Sequence, residues 1–559
     1  MANKPDYDVV IVGAGAAGGI LARELTDAGL QVCLLERGPF FETKDLTMDE
    51  LRFPIRQNLL WATPRTGGMT WRPHARSGTQ KVFPRITHMM DGWGPGGTMN
   101  HWGGTSWRYY PETFRHLDVW GQIPNGAIAN WPIAYEELEP YYEKFEYRFG
   151  VSGDADQILY GPPRKKPYPL PPIEQGYATN HFARACRSLG YKPFPMPTAI
   201  LSQDYQGRSR TGYCGYCQAF ECTIDAKSNT RITEIEEARK KPNFTLLTDH
   251  YVVQVTMKDQ ERVEGVVCLD AAGQAKTITG SIVILSANTL YNVWLLLVSK
   301  NHYAPGGIGN QNGQVGKYFH HHPRFGVNGQ FAEKMHVHIG PSESLTAVTE
   351  FTENHFDHTG LGFVMGGYIY GARVTGSAGL PIEYAQYVEL PEGVSGWGPS
   401  FKQFIEQTYS FYYQVHTFLT DPPLLSSFID LDPGYKNGLG LPLPRITFDW
   451  SPQLKNMHRF FHEKVVGILR AGEAKRIWGG NLSPPWYLSH PSGGTRMGEN
   501  TSESVTDRYG KVHGLNNLYI AGNSLFPTMP CFNVTETIGA LAYWQADHIR
   551  HGIEHGAFI

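Results

Sequence analysis

The apolar positions at the start of the chain change period twice within thirty residues. Asp8 to Val12 reads DVVIV, a short β-branched run suited to a buried strand. Ile20, Leu21, Ala22, Leu25 and Ala28 then recur at helical spacing, and Gly29 stops that helix. Gln31 to Leu35 (QVCLL) returns to strand and ends at Glu36. Between the first strand and the helix lie Gly13, Ala14, Gly15, Ala16, Ala17 and Gly18. The order strand, G-x-G-x-x-G turn, helix, strand, acid is the dinucleotide-binding fingerprint. Gly13, Gly15 and Gly18 let the backbone turn tightly and approach a pyrophosphate at the helix N-terminus. Glu36 is placed to accept hydrogen bonds from a ribose 2′-hydroxyl, and an acid there argues against a 2′-phosphate. The motif alone does not separate NAD from FAD.

Further along, Tyr135 to Phe145 predicts a helix with Glu136, Glu137 and Glu139 near its positive end. Lys227 to Lys240 also reads as helix. Phe244 to Leu247, Tyr251 to Met257, Val263 to Cys268 and Ser281 to Leu285 read as strands, the last apolar throughout and suited to a central parallel position. From about Pro323 to Pro444, short β-like runs such as LGFVMGGYIYG alternate with aromatic-rich loops, which predicts an antiparallel sheet in a second domain. Met457 to Ala471 is an amphipathic helix. Asn517 to Ala521 is a last buried strand, followed by a glycine turn and a helix from Val534 to about His548. A βα unit at each end of the chain predicts a discontinuous dinucleotide domain. Arg37 to Asp91 (with Pro39, Pro54, Pro64 and Pro73) and Gly150 to Thr198 are proline-rich, irregular excursions.

A chain of 559 residues exceeds one ordinary domain and can bury a large core. Its net charge of −3 gives no electrostatic case for nucleic acid. No apolar run reaches the roughly twenty residues that span a bilayer. The first strand begins almost at once, so no export signal is expected in the chain itself. Seven cysteines, three of them clustered, are not a disulfide framework.

Three stretches carry chemistry. Gly92 to Gly104 (GWGPGGTMNHWGG) is too glycine-rich for a helix or strand and suits backbone wrapped against a flat ligand. Tyr487 to Gly498 reads YLSHPSGGTRMG, and Asn517 to Ala542 reads NLYIAGNSLFPTMPCFNVTETIGALA. With the fingerprint, these segments resemble the glucose–methanol–choline (GMC) family of FAD oxidoreductases, from the first strand to the last helix. The resemblance implies an α/β GMC fold: a discontinuous Rossmann-like FAD-binding domain (1–110, 200–322 and 480–559) and an antiparallel-sheet substrate domain with its excursions (111–199 and 323–479).

It further implies that His490 is the base taking a hydroxyl proton and that Asn533 holds the substrate oxygen. A histidine is suited to that role because its ordinary pKa of about 6.5 lies near neutrality. As a bland alternative, His490 would be a surface-loop histidine and Asn533 a cap of the final helix. FAD contacts are expected from Gly13, Gly15, Gly18, Glu36, Gly97, Thr98, Asn100, His101, Trp102, Gly103, Val253, Asn523 and Thr535. His101, in MNHWGG, resembles the pyranose-oxidase histidine bonded to the flavin. A covalent link and simple stacking in the FAD loop are both open.

Cys214, Cys217 and Cys222 form C-x2-C-x4-C, one thiol short of a zinc site. The resemblance to bacterial FAD sugar dehydrogenases implies a [3Fe-4S] cluster there, although the spacing differs; buried thiols packing a loop are the alternative. His320, His321 and His322 tempt a metal reading, but consecutive side chains diverge and a structural role is expected. The implied activity is oxidation of a secondary hydroxyl of a sugar, glycoside or sugar acid to a ketone, as in glycoside 3-dehydrogenase or gluconate 2-dehydrogenase. Electrons would leave through the cluster to a cytochrome. A small partner subunit carrying a twin-arginine signal would place the enzyme on the periplasmic face; a plain cytoplasmic enzyme is the alternative. A pyranose-oxidase-like oxidase making hydrogen peroxide is the second enzymatic reading, and a flavin-binding scaffold without turnover is the reading from another class.

Overall fold

The computed structural model describes residues 4–49, 68–82, 92–217, 220–338, 345–373, 384–385 and 388–555. Pro54, Pro64 and Asp91 lie outside them. The predicted fingerprint forms as strand Tyr7–Val12, helix Ala16–Asp27 and strand Val32–Leu35. The first strand sits between Val32–Leu35 and Ala275–Leu285, parallel to both. Phe244–Leu247 and Leu518–Ile520 extend the parallel sheet on either side. Every residue from Val9 to Val12 and from Val32 to Leu35 is buried, as a strand covered on both faces requires. The C-terminal strand thus closes the sheet begun by the N-terminal one.

Strand Ala275–Leu285 is longer than the apolar run Ser281 to Leu285 predicts. Its exposed first half pairs antiparallel with Val263–Leu269, and only its buried second half joins the parallel sheet. Polar residues in that first half hid it from an apolarity argument. The segment expected to be helical from Lys227 to Lys240 forms a π-helical turn, Arg231–Ile235, running into Glu236–Ala238.

The expected antiparallel sheet is present, with Arg324–Gln330, Thr346–Val348, Gly367–Arg373 and Tyr412–Leu419 joined by Phe194–Pro195 and Arg476–Gly479. Strand alternation divides its two faces. Phe325, Val327, Ile369, Val415 and Leu419 pack under helix Leu454–Ala471 through Met457, Phe461, Val465 and Leu469. Arg324, Tyr368, Tyr370 and Phe418 point the other way, towards the cavity described below.

Two placements depart from the expected division of the chain. Met69–Arg72 and Gln80–Val82 pair with Pro442–Thr447 and Phe428–Lys436 in a separate four-stranded sheet, so an N-terminal segment joins one assigned to the substrate domain. Helix Tyr135–Phe149 packs on the C-terminal helix Thr535–Glu554, against the FAD-binding side: Tyr142 Oη lies 2.7 Å from Thr537 Oγ1, and Tyr141 donates to Asp547 at 3.1 Å. Arg108 anchors the same helix. Fully buried, it makes two 2.8 Å bonds to Glu146 and one of 3.1 Å to Glu139. A buried guanidinium needs such partners to offset its desolvation.

The two helices meet at Gly539. A Cβ there would stand 2.2 Å from Phe145 Cδ2, and Phe145 is itself buried and stacked 4.1 Å from Phe149. Gly539→Ala is therefore expected to destabilise the protein by about 1–3 kcal/mol through overpacking, seen as a lower thermal midpoint with flavin content as a second readout.

Candidate active site

Two cavities meet at the C-terminal ends of the parallel strands. The first, about 650 Å³ with its mouth, is lined by Val12 to Gly15, Glu36, Arg37, Gly97, Thr98, His250 to Val252, Ser286 and Tyr291. The second, about 1550 Å³ with its mouth, lies between the glycine loop and the antiparallel sheet. Gly15, Thr98, Ser286 and Asn288 line both, so the two form one channel.

The first cavity fits the adenosine end of a dinucleotide. At Gly13, with φ +100°, a Cβ would come within 2.5 Å of Ser286 O; at Gly18 it would come within 1.9 Å of Gly13 O. These two glycines allow backbone to touch backbone. Gly15 differs: a Cβ would meet no protein atom within 4 Å, so its absence keeps the channel itself clear. Glu36 is buried and accepts from the backbone N–H of Gly38 at 2.8 Å, Ala14 at 3.1 Å and Gly94 at 3.2 Å. Burial raises its pKa against those three donors, which favour the charged form. It also ties the fingerprint turn to the glycine loop.

Thr98, Trp102, Gly103, Asn523 and Thr535 line the second cavity, and Gly97 the first. Asn523 has a further use. It donates to Pro491 O at 2.6 Å, and so does Thr289, pinning the loop that carries His490. Besides Gly18, three expected cofactor residues line neither cavity. Val253 lies on strand Tyr251–Met257, of which Tyr251 and Val252, and not Val253, line the channel. Asn100 turns back to donate to Pro95 O at 3.0 Å, stapling its own loop. His101 is buried and lines neither cavity, while Met99, Trp102 and Gly103 do; the Trp102 indole is held by Ser228 O at 2.9 Å. Acid precipitation is accordingly expected to release the flavin and leave a non-fluorescent band on a denaturing gel; a fluorescent band lost in His101→Ala would place a bond at that ring.

His490 and Asn533 come together. His490 is half-buried with φ +56°, a backbone region costing of order 1 kcal/mol that tends to persist where function needs it. His490 Nε2 lies 3.3 Å from Asn533 Nδ2. Asn533 Oδ1 accepts from Tyr368 Oη at 3.0 Å, which fixes the amide with its N–H₂ towards the imidazole. The C-terminal helix caps at Val534 without a side-chain bond, so the Asn533 amide serves the site and not the cap.

The third member is His322, of the histidine run read as structural. His322 Nε2 lies 2.5 Å from Pro530 O, which only accepts, so that nitrogen carries the proton. Burial holds His322 neutral, far below the ordinary imidazole pKa. Its Nδ1 is then an acceptor, and it lies 2.8 Å from His490 Nδ1. His490 must therefore be protonated on Nδ1, leaving the Nε2 lone pair in the cavity. His320 and His321 keep the expected structural role, bonded to Tyr318 O at 2.9 Å and Pro485 O at 3.0 Å. The sequence reading missed His322, Tyr368 and Arg324. The HHH run was the one available signal, and it gave no means of telling its three members apart.

Cys214 is exposed, Cys217 buried and Cys222 half-buried on one loop. Among the described residues, three metal-ligating atoms come within 4.8 Å of one another only at exposed His551, Glu554 and His555, so the three thiols are not gathered that closely. Their loop is tied to the glycine loop by Lys227, whose ammonium donates to the carbonyls of Trp102 at 2.8 Å and Phe220 at 2.6 Å, and also to Cys217 O. No described helix is long and apolar enough to cross a membrane.

Residues 127–324 and 423–542 match the GMC oxidoreductase family, and residues 6–42 match an FAD binding domain. The chain is 32% identical to the gluconate 2-dehydrogenase flavoprotein of Pantoea cypripedii, over 97% of this chain and 93% of that one. It is 27% identical to the fructose dehydrogenase large subunit of Gluconobacter japonicus, covering 98% of both. It is 29% identical to the 2-methyl-1,2-propanediol dehydrogenase of Mycolicibacterium austroafricanum, over 97% and 95%. Among solved structures it resembles pyridoxine 4-oxidase from Mesorbium loti (TM-score 0.63, 15% identity, 97% and 99% covered) and formate oxidase from Aspergillus oryzae RIB40 (TM-score 0.64, 16% identity, both fully covered). At that identity the two structures show the fold.

Removing His322 tests the tautomer argument. His322→Ala is expected to keep its flavin yet slow substrate-driven flavin reduction by about 10²-fold or more, as loss of the group that sets a base's tautomer does. Stopped-flow reduction under anaerobic conditions measures it.

Proposed function

The chain belongs to the GMC oxidoreductase family, and on that premise we propose that it oxidises a secondary hydroxyl of a sugar, glycoside or sugar acid to a ketone. The family and FAD chemistry on CH–OH groups are the established part; the position of the hydroxyl and the substrate are the proposal. The observation that carries it is the His490 Nε2 lone pair, facing Asn533 in a cavity continuous with the fingerprint channel.

FAD, when bound, supplies the hydride acceptor, and the glycine loop, Glu36 and the start of the C-terminal helix would hold it. The remaining work falls to the chain. A substrate hydroxyl between His490 and Asn533 donates to the imidazole Nε2 and accepts from the amide N–H. The proton passes to Nε2 as the carbon loses hydride. The Nδ1–H of His490 stays donated to His322, which keeps the ring from turning and stabilises the imidazolium. Tyr368 holds the amide so that it cannot flip and present its oxygen.

Electron exit is a finer part of the same proposal. Cys214, Cys217 and Cys222 would hold a [3Fe-4S] cluster, and three thiols on a loop bound to the glycine loop through Lys227 are chemically suited to one. A cytochrome acceptor and a small exported partner subunit complete it, supported by the words "large subunit" in the name of the Gluconobacter relative. An oxidase of the pyranose-oxidase type needs no such exit. Three irons per chain, with a three-iron EPR signal in air-oxidised protein, are expected; iron-free protein that turns over with oxygen favours the oxidase. Soluble, flavinated, active protein made without any other subunit removes the partner.

Two measurements test the base. His490→Ala is expected to retain FAD and lose about 10²–10⁴-fold in flavin reduction, the usual contribution of proton transfer. Burial, reinforced by the positive charge of Arg324, lowers the His490 pKa to about 3. The base is therefore unprotonated at all ordinary pH, and reduction should hold level down through pH 6.5, falling only as pH approaches the lowered value. An acid limb centred near 6.5 would mean that the titrating base is an imidazole with no such depression.

A further inference from the structure

The second cavity carries a charge pattern that a neutral polyol does not explain. Among its described lining residues Arg324 is the one that is charged, and none is a carboxylate. Its walls are otherwise aromatic, aliphatic or neutral polar: Trp102, Tyr368, Tyr370, Phe418, Tyr487 and Asn533 among them. Arg324 is half-buried at the start of strand Arg324–Gln330, and it makes no ion pair with any described residue. Its guanidinium rests on the Tyr487 ring, 4.5 Å from the centroid, and donates to the Tyr487 hydroxyl. A phenol does not neutralise a guanidinium. Charges drawn out of bulk water are ordinarily paired, and a guanidinium fork matches the two oxygens of a carboxylate.

Resting on the hydroxyl-oxidation reading above, we propose that Arg324 anchors a carboxylate of the substrate, so that the enzyme prefers a hydroxy acid of the aldonate class to a neutral sugar or an amine. The same contact explains how a base next to a fixed cation works. Arg324 opposes the positive charge that His490 gains with the proton. A carboxylate seated on Arg324 offsets that opposition, while burial, the larger cause of the lowered His490 pKa, stays in place. A cationic substrate would add a second charge of the same sign and be disfavoured twice.

The experiment uses the flavinated full chain and two readouts. In anaerobic stopped flow, D-gluconate is compared with D-gluconamide and D-glucitol, which lack the charge. The acid is expected to exceed both by about 10–100-fold in kcat/KM, the range of a hydrogen bond to a charged group. In Arg324→Gln the preference for the acid should collapse towards unity, chiefly through KM, and Arg324→Lys should recover part of it. Equal rates for acid and neutral analogues in the wild type overturn the proposal. So does an Arg324→Gln variant that slows all three substrates equally, which would make Arg324 a support for the Tyr487 loop. The second readout needs no turnover. Glutarate, a dicarboxylate without hydroxyls, should perturb the flavin band saturably in the wild type and not in Arg324→Gln; no perturbation in either overturns the anchor. If no polyol or hydroxy acid reduces the flavin, the hydroxyl-oxidation reading fails, and the glutarate titration still decides Arg324.

Discussion

The structure depends on backbone approaching backbone at the mouth of the parallel sheet. Gly13 lies against Ser286, Gly18 against Gly13, and Gly97 against Gly15, where a Cβ would come within 2.9 Å of the Gly15 Cα. These contacts join the first turn of the chain, the glycine loop and the strand ending at Leu285. No side-chain packing could bring the three so close, and the channel exists because they are close. Glu36 then fixes the arrangement by accepting from Ala14, Gly38 and Gly94 at once. A carboxylate that binds three segments in this way couples the fingerprint turn to the glycine loop that lines both cavities. Lys227 does the same on the far side, gathering carbonyls from Trp102 and Phe220. Both are buried charges satisfied by backbone, a demanding arrangement that leaves little latitude for the loops to shift.

Against this frame the acid–base group is directional. The carbonyl of Pro530 can only accept. From that one fact the protonation of His322, then of His490, follows in order, and the Tyr368 hydroxyl orients Asn533 from the opposite side. Each member is neutral, each has one possible tautomer or rotamer, and the chain ends in a lone pair. Burial enforces this: His322 and His490 are held well below the ordinary imidazole pKa, so neither acquires a second proton that would reverse the order. The strained backbone at His490 belongs to the same account. A positive φ for a histidine is tolerated where Asn523 and Thr289 both grip the next carbonyl, Pro491 O.

Much of the fold was legible because its strands are either wholly buried or strictly alternating. Phe244–Leu247 and Tyr251–Met257 match the predicted runs. The polar half of Ala275–Leu285 was not legible, since its partner strand and not its own pattern makes it a strand. The pairing of Met69–Arg72 with Pro442–Thr447 joins residues some 375 positions apart, as the bond from Arg72 Nε to Thr447 shows, and no local pattern encodes such a contact. In the site, His490, Asn533 and the fingerprint glycines stood out because their motifs are rigid in spacing. His322, Tyr368 and Arg324 did not, because their roles depend on which way a strand or loop turns. Asn100 and His101 show the converse: they fall inside the right motif, yet a short helical turn at Gly97–Asn100 presents Met99 and Trp102 in their place.

Of the two faces of the antiparallel sheet, one carries packing and the other chemistry. On one face Phe325, Ile369 and Leu419 are core, buried under a helix and replaceable by other apolar residues of like volume. One residue away in each strand, Arg324, Tyr368 and Phe418 face the cavity. A register slip of a single residue would therefore bury the guanidinium and expose the core. The hydrophobic cost of that slip protects the site: the packing under helix Leu454–Ala471 holds Arg324 and Tyr368 opposite His490 and Asn533. Stability and chemistry are thus not separate properties of this sheet, since the pleat that fills one face aims the polar groups on the other.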